Sequence, residues 1–208
     1  MIAMFAVVLS AYLLGSVSGS LLVGRFRGVD IRTQGSGNAG GTNALRTQGW
    51  RFALGVVLVD VGKGMLAVWL AQRLFPADVA VAFGALYAAV VGHIWPVFHE
   101  FRGGKGAATL VGGLILLWPQ ALLPLLGVWL LCLTLTGYVG LSTILAAISL
   151  VLSAWWFAMP PVYWAFAAVG AVLLTYSHRS NLQRLRAGTE NQFEKARVLG
   201  RLLTGRRG

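Results

Sequence analysis

The sequence predicts an all-α polytopic integral membrane protein with seven transmembrane helices, an external N-terminus and a cytoplasmic C-terminus. Three observations carry that expectation. The 208 residues are 57% hydrophobic and 11% charged, with mean hydropathy +0.74, a balance far too apolar for a water-soluble domain. Charge is missing from long stretches, including residues 1–24 and everything from Gly106 to Ser177. The net charge of +11 is confined to three short segments, 25–51, 99–105 and 178–208, while the remaining charges Asp60, Lys63, Arg73 and Asp78 cancel.

The elements follow in order. Residues 1–24 exceed the roughly 20 apolar residues that a helix needs to cross a bilayer, and they lack the basic leading segment of a secretory signal peptide. Residues 52–72 and 79–98 make two further spans, separated by a polar turn with Arg73, Pro76 and Asp78. The uncharged run Gly106–Ser177 holds four crossings at about 18 to 20 residues each, broken at Trp118-Pro119, Gly137-Tyr138 and Met159-Pro160-Pro161. Its first piece, 106–118, is short. At about 1.5 Å per residue it covers only some 20 Å of a roughly 30 Å core, so that helix begins or ends inside the membrane. Two crossings before the second basic segment and four before the third return all three to one face, which the positive-inside rule makes cytoplasmic. Residues 1–208 are expected to form a single membrane-embedded domain. Charge placed this way marks topology, and nucleic acid is not an expected partner.

The polar segments contain more than topology requires. The stretch Gly35-Ser-Gly-Asn-Ala-Gly40 matches G-x-G-x-x-G, but it follows a transmembrane helix and lacks the strand-to-helix context of a dinucleotide site. Arg102-Gly-Gly-Lys105 resembles a phosphate loop, yet Gly106 follows the lysine and His99 stands where the leading glycine belongs. The physics behind both motifs still applies. Gly35, Gly37, Gly103 and Gly104 allow backbone N–H groups to converge on an anion, and a helix N-terminus adds its dipole. Arg46 supplies a bidentate fork and Lys105 a point charge for anionic oxygens. Ser36, Asn38, Thr42 and Asn43 add neutral hydrogen-bonding groups that a topology signal would not need.

In the third segment, His178 ends the last span and Asn181 lies three residues on, sharing a helical face if the helix continues. A histidine there titrates near neutrality and is a candidate proton handler. Glu190 is expected to cap or solvate a surface helix. Asp60 and Lys63, at i and i+3 within a span, are expected to pair structurally, and His93 to orient the loop that follows it. The eight tryptophans suit an interfacial belt. Cys132 stands alone, so no internal disulfide is expected. No Cys/His or acidic cluster has metal-ligand spacing, and there is no G-x-S-x-G elbow, so neither metal nor cofactor is expected.

Together these residues resemble a known family, the bacterial acyl-phosphate-dependent glycerol-3-phosphate acyltransferases of the PlsY type. The resemblance rests on "GSGNAGGTNALR" (35–46), "GHIWPVFHEFRGGKGAAT" (92–109) and "HRSNLQRLRAGTE" (178–190), supported by "DVGKG" (60–64) and by Ser142 in "GYVGLSTI". Gly41 stands where alanine is usual, Ala107 where valine is common and Ser18 where the first helix often has proline, and no charged or nucleophilic group is lost. The resemblance implies transfer of a fatty acyl group from acyl phosphate to the first hydroxyl of glycerol 3-phosphate, at the cytoplasmic face of the inner membrane. It implies membrane lipid as surroundings and makes the enzyme that forms acyl phosphate a candidate partner. It assigns Arg46, Lys105 and Ser142 to the substrate or departing phosphate, and Ser36, His178 and Asn181 to the reacting hydroxyl and carbonyl. Whether His178 or a substrate phosphate oxygen takes the proton stays open at this point. Two other readings compete: a transporter of an anionic solute, and acyl transfer from a thioester carrier. Tail arginines such as Arg206 and Arg207 are expected to be dispensable for catalysis.

Overall fold

The computed structural model describes residues 1–203; Arg206 and Arg207 lie outside the described residues. Helices and turns make up the described chain, with no strand among the described residues. Contacts divide it into two compact units, Met1–Pro119 and the described residues from Gln120 onward.

The first unit contains α1 (Ile2–Gly15), α2 (Gly19–Arg25), α3 (Gly41–Gln48), α4 (Trp50–Leu74), α5 (Val79–Ile94) and α6 (Ala107–Leu117). The expectation of one uninterrupted helix through residue 24 is corrected, because α1 and α2 meet at a 48° bend. The cause is local. Ser16 Oγ donates to Tyr12 O, Ser16 N is shared between Tyr12 O and Leu13 O, Val17 N reaches back only three residues to Leu14 O, and Ser18 is extended at φ −83°. The last turn therefore tightens and stops.

Small residues bring the helices of this unit into backbone contact. A Cβ on Gly15 would strike the Ala89 backbone, and one on Gly92 would strike Tyr12 O, so α1 and α5 lie close along their length. Gly64 meets Thr109 O and Gly112 meets Val61 O in the same way between α4 and α6. In lipid, where apolar burial gives little drive for helix association, such contacts add dispersion that bulkier residues would forfeit. Below them Ile31, Ala39, Ala44, Phe52, Ala53 and Val56 form a buried cluster that seats the connecting loop and α3 on α4.

The second unit contains α7 (Leu122–Thr136), α8 (Val139–Trp156), α9 (Pro161–Ser177), α10 (Arg179–Arg186) and α11 (Val198–Leu203). Gly137 ends α7 in the left-handed conformation and Pro161 opens α9 at its first turn, where its missing N–H costs nothing. The tail returns across the end of α7. There Gln192 Nε2 donates to Thr136 O at 2.7 Å and Phe193 N to Gly137 O at 2.8 Å, satisfying carbonyls that the helix leaves open.

Seven apolar helical segments thus appear in the expected order, counting α1 with α2 as one. Four of them, Trp50–Leu74, Val79–His99, Pro119–Thr136 and Val139–Trp156, are long and apolar enough to cross a membrane, and the bent pair makes up to five. α6 and α9 are shorter, at 11 and 17 residues. Large apolar side chains left exposed on these helices, such as Leu58, Leu131, Leu152 and Val172, suit lipid contact.

Candidate active site

The glycine-rich loop of the first unit is built around Asn43. Its Nδ2 donates to Ile31 O (3.2 Å) and Gln34 O (2.9 Å), and its Oδ1 accepts from Ser36 N (3.0 Å). Gly35 turns back at φ +55° under that oxygen, where a Cβ would collide with it. Asn43 is 2% exposed, and both ends of its amide are engaged in shaping the loop. Ser36, Gly37 and Thr42 remain exposed, and Asn38 is half-buried beside them. α3 starts at Gly41, so its first N–H groups, which have no intrahelical partners, face the loop's end. Arg46 lies in the last turn of α3 and is exposed.

One edge of the loop is fixed by Asp30. It accepts from Arg32 N at 2.9 Å and from the Arg32 guanidinium at 2.8 Å, and Arg32 Nη1 reaches on to His99 O at 3.2 Å. The Arg32 hydrogen bonds hold the Asp30 carboxyl below its ordinary value and raise the guanidinium in return. Between Asp30, Arg32 and Arg25 opens a cleft of about 540 Å³, walled also by Leu21, Phe98 and His99.

The second loop lies against the first within the same unit. Ala39 N donates to Gly103 O at 3.4 Å. Gly103 N and Gly104 N donate back to Ile94 O and His93 O, at 3.2 and 3.0 Å, which folds the chain onto the end of α5. Lys105 follows, half-buried, two residues before α6 begins. The structure therefore brings together Gly35–Asn43 and Gly103–Lys105 as neighbouring loops ahead of two helix N-termini. Such an arrangement has the chemistry to receive an anion, with N–H groups and dipole acting together.

In the second unit His178 is 5% exposed and sits at the junction of α9 and α10. The two do not form one helix: at φ −98°, ψ 10° the chain breaks at His178, whose carbonyl still accepts from Asn181 N and Leu182 N. His178 Nδ1 lies 2.8 Å from Leu174 O, and a carbonyl oxygen can only accept, so Nδ1 carries the proton. In the neutral ring Nε2 is then the basic atom. Ser142 is fully buried, and its hydroxyl donates to Tyr138 O at 2.9 Å, one turn back in α8.

Glu190 was expected only to cap or solvate a surface helix, and the structure buries it as a partner of Asn181. Its carboxylate accepts from Asn181 Nδ2 at 2.6 Å and from Arg184 Nε at 2.7 Å, with only 5% of its side chain exposed. A left-handed Gly188 (φ +70°) brings it there. Gly188 N bonds to Leu185 O and Thr189 N to Arg184 O, the paired bonds of a Schellman cap that turn residue 190 back along α10. The legible signal was Ala187-Gly188 after a basic last turn. Gly140 on α8 completes the setting, because a Cβ there would stand 2.7 Å from Asn181 Cβ. No group of His, Cys, Asp and Glu fit to hold a metal occurs among the described residues.

Comparison with known proteins follows this geometry. A family model described as glycerol-3-phosphate acyltransferase matches residues 5–188. Curated proteins named glycerol-3-phosphate acyltransferase are similar over nearly their whole length. The one from Chlorobaculum tepidum is 36% identical, with 95% of this chain and 99% of the relative covered. That from Halalkalibacterium halodurans is 42% identical over 89% and 93%, and that from Synechococcus sp. 47% identical over 88% and 91%. Among solved structures, PlsY, an integral membrane glycerol 3-phosphate acyltransferase, aligns in its glycerol 3-phosphate form with TM-score 0.87 and 36% identity, covering 95% of this chain and 98% of that one. Its lysophosphatidic acid form aligns with TM-score 0.86.

Proposed function

The chain belongs to the glycerol-3-phosphate acyltransferase family, and on that premise we propose that it moves a fatty acyl group from acyl phosphate to the sn-1 hydroxyl of glycerol 3-phosphate. The products are lysophosphatidic acid and inorganic phosphate, in the first acylation of phospholipid biosynthesis. The chain acts as one membrane-embedded acyltransferase domain with seven crossings, in a bacterial inner membrane. Its three basic segments and its active site face the cytoplasm, with the N-terminus outside. The enzyme that makes acyl phosphate is a candidate neighbour.

The single observation that carries the reaction is the tautomer of His178. With Nδ1–H held by Leu174 O, Nε2 can accept the proton of the attacking hydroxyl. The hydroxyl oxygen forms a bond to the acyl carbonyl carbon, the tetrahedral intermediate collapses, and the carbon–oxygen bond to phosphate breaks with its electron pair leaving on phosphate, which takes up one proton as His178 gives up the one it accepted. No covalent acyl-enzyme is required, because acyl phosphate is a mixed anhydride whose leaving group is already good. Positioning and charge stabilisation then lower most of the barrier. Asn181, anchored by Glu190, orients the hydroxyl, and Ser36 serves the carbonyl side. Arg46 and Lys105 neutralise substrate phosphate, assisted by N–H groups of Gly35, Gly37, Gly103 and Gly104 and by Asn38 and Thr42. Asn43 acts through the shape of the loop. Ser142 contributes a phosphate contact on rotating its hydroxyl away from Tyr138 O.

Purified protein in detergent, supplied with acyl phosphate, tests the reading. Phosphate release that depends on glycerol 3-phosphate supports it. Solute uptake into vesicles without such release supports a transporter instead, and faster turnover with acyl thioester than with acyl phosphate supports the thioester donor.

A further inference from the structure

Three buried polar side chains of the first unit play no part in this chemistry: Asp60 and Lys63 on α4 and His93 on α5, exposed by 1%, 4% and 4%. Lys63 Nζ lies 2.8 Å from Val17 O, 3.0 Å from Asp60 Oδ1 and 2.7 Å from His93 Nδ1. An ammonium has three donors, and here each has an acceptor. His93 Nδ1 therefore accepts, the ring proton is on Nε2, and the 3.4 Å approach of Nδ1 to Asp60 Oδ1 is a consequence of their shared lysine rather than a bond.

The cluster is attached to both anion-binding loops. On one side it holds the bend between α1 and α2. Lys63 places positive charge on the Val17 carbonyl at the end of α1, and Asp60 accepts from Gly19 N, the first N–H of α2, at 3.2 Å. Each charge meets the helix end whose partial charge is opposite. Gly19 is required there, since a Cβ would stand 2.7 Å from Val56 O and 2.9 Å from Asp60 Oδ1. One residue on, Ser20 Oγ donates to Ala39 O at 3.0 Å and so grips the glycine-rich loop. On the other side, the His93 carbonyl accepts from Gly104 N, and the His93 ring lies against Gly104, whose Cβ, if present, would overlap Nε2.

We propose that Asp60, Lys63 and His93 are positioning residues that set the Gly35–Gly40 and Gly103–Lys105 loops in mutual register for binding a phosphate monoester. The proposal rests on the reading of those loops as the phosphate-binding elements. Stability alone is a weak reason for such a cluster, because a buried ion pair is often no better than well-packed apolar residues of the same volume. What it adds is direction. Three fixed acceptors around one nitrogen tie the helix bend, α4 and α5 into a single geometry, and two short hydrogen-bond routes extend from it to Ala39 and Gly104.

The test is equilibrium binding of radiolabelled glycerol 3-phosphate to the purified full chain in detergent, with the folded fraction counted separately. His93→Ala is expected to weaken binding about tenfold per folded molecule, with kcat changed less. His93→Asn, which keeps an acceptor near the Nδ1 position, is expected to recover most of that loss. Gly104→Ala drives a methyl group into the His93 ring and reads the same coupling from the loop side, should His93→Ala fail to fold. Unchanged affinity in His93→Ala or in Gly104→Ala, with only the yield of folded protein reduced, overturns the positioning role. Lys105→Ala separates the two readings: if it binds glycerol 3-phosphate normally, the loops are not the phosphate site and both fall. If Lys105→Ala loses binding while His93→Ala and Gly104→Ala do not, only the positioning role falls.

Discussion

Asn181 donates its Nδ2 to Glu190 at 2.6 Å, and the second oxygen of the same carboxylate is held by Arg184 at 2.7 Å. This fixes which end of the Asn181 amide is the donor and which the acceptor. Glu190→Ala should release it, and a charge-assisted hydrogen bond of about 1.5 to 3 kcal/mol corresponds to a loss of about ten- to a hundredfold in kcat. Turnover at saturating glycerol 3-phosphate checks this. A variant with parental kcat would show that the contact only shapes the tail.

Gly140→Ala should act on the same side chain by another route. The new methyl group would stand 2.7 Å from Asn181 Cβ and 2.8 Å from its Nδ2, so the amide must move. The expected outcome is lower kcat with little change in glycerol 3-phosphate affinity, and combining it with Glu190→Ala should cost less than the two losses multiplied. Full multiplicativity in steady-state assays would argue against a shared target.

Arg46→Ala and Lys105→Ala should each abolish or strongly reduce activity while the protein still inserts into membranes. Membrane fractionation combined with phosphate-release assays checks both halves. Normal turnover in both would remove the anion-binding assignment.

His178→Ala should lose far more rate than His93→Ala. A positioned general base contributes about 10² to 10⁴-fold, whereas the role proposed for His93 is confined to loop geometry. Rates measured side by side at saturating substrate decide, and equal losses would undo the ranking.

The Asp30–Arg32 pair gives a pH-dependent term of known sign. Arg32 lowers the Asp30 carboxyl below its usual value, so the pair's stabilisation is present above the unfolded carboxylate pKa and is lost as pH falls through the lower folded value. With 39% of the Asp30 side chain exposed, screening keeps the contribution to about 1 kcal/mol or less. Asp30→Asn should melt slightly below the parent at pH 7, and the gap should narrow below about pH 4. A gap that widens on acidification would contradict the assignment.

The candidate residues stood out in the sequence because they are set in unusual local composition. Glycines, arginine and lysine between apolar helices stand out against lipid-facing sequence, and His178 with Asn181 stands out at a helix end. The place of His93 beside the following loop was also legible, from the proline that breaks its helix, and the structure sets its carbonyl against Gly104 N. The bend at Ser16–Ser18 was harder to read, since serine is tolerated within membrane helices and only its bond back to Tyr12 O reveals the tightened turn. Asn43 looked like a substrate donor because an amide in a glycine loop is chemically suited to that role. Its engagement with Ile31, Gln34 and Ser36 depends on how the loop closes.

The amino-acid order alone specified membrane residence, the succession of the apolar helices, their breaks at proline and glycine, and which polar segments have a composition suited to anions. These follow from hydropathy and local backbone preference, which act within a few residues. Only the tertiary structure decided which polar atom meets which: Asp60 with Gly19 41 positions away, Lys63 with Val17 46 away, and Glu190 with Asn181 across a left-handed turn. A hydrogen bond depends on direction and on a fraction of an ångström. Both are set only when separate helices close on one another, so no local pattern along the chain contains them.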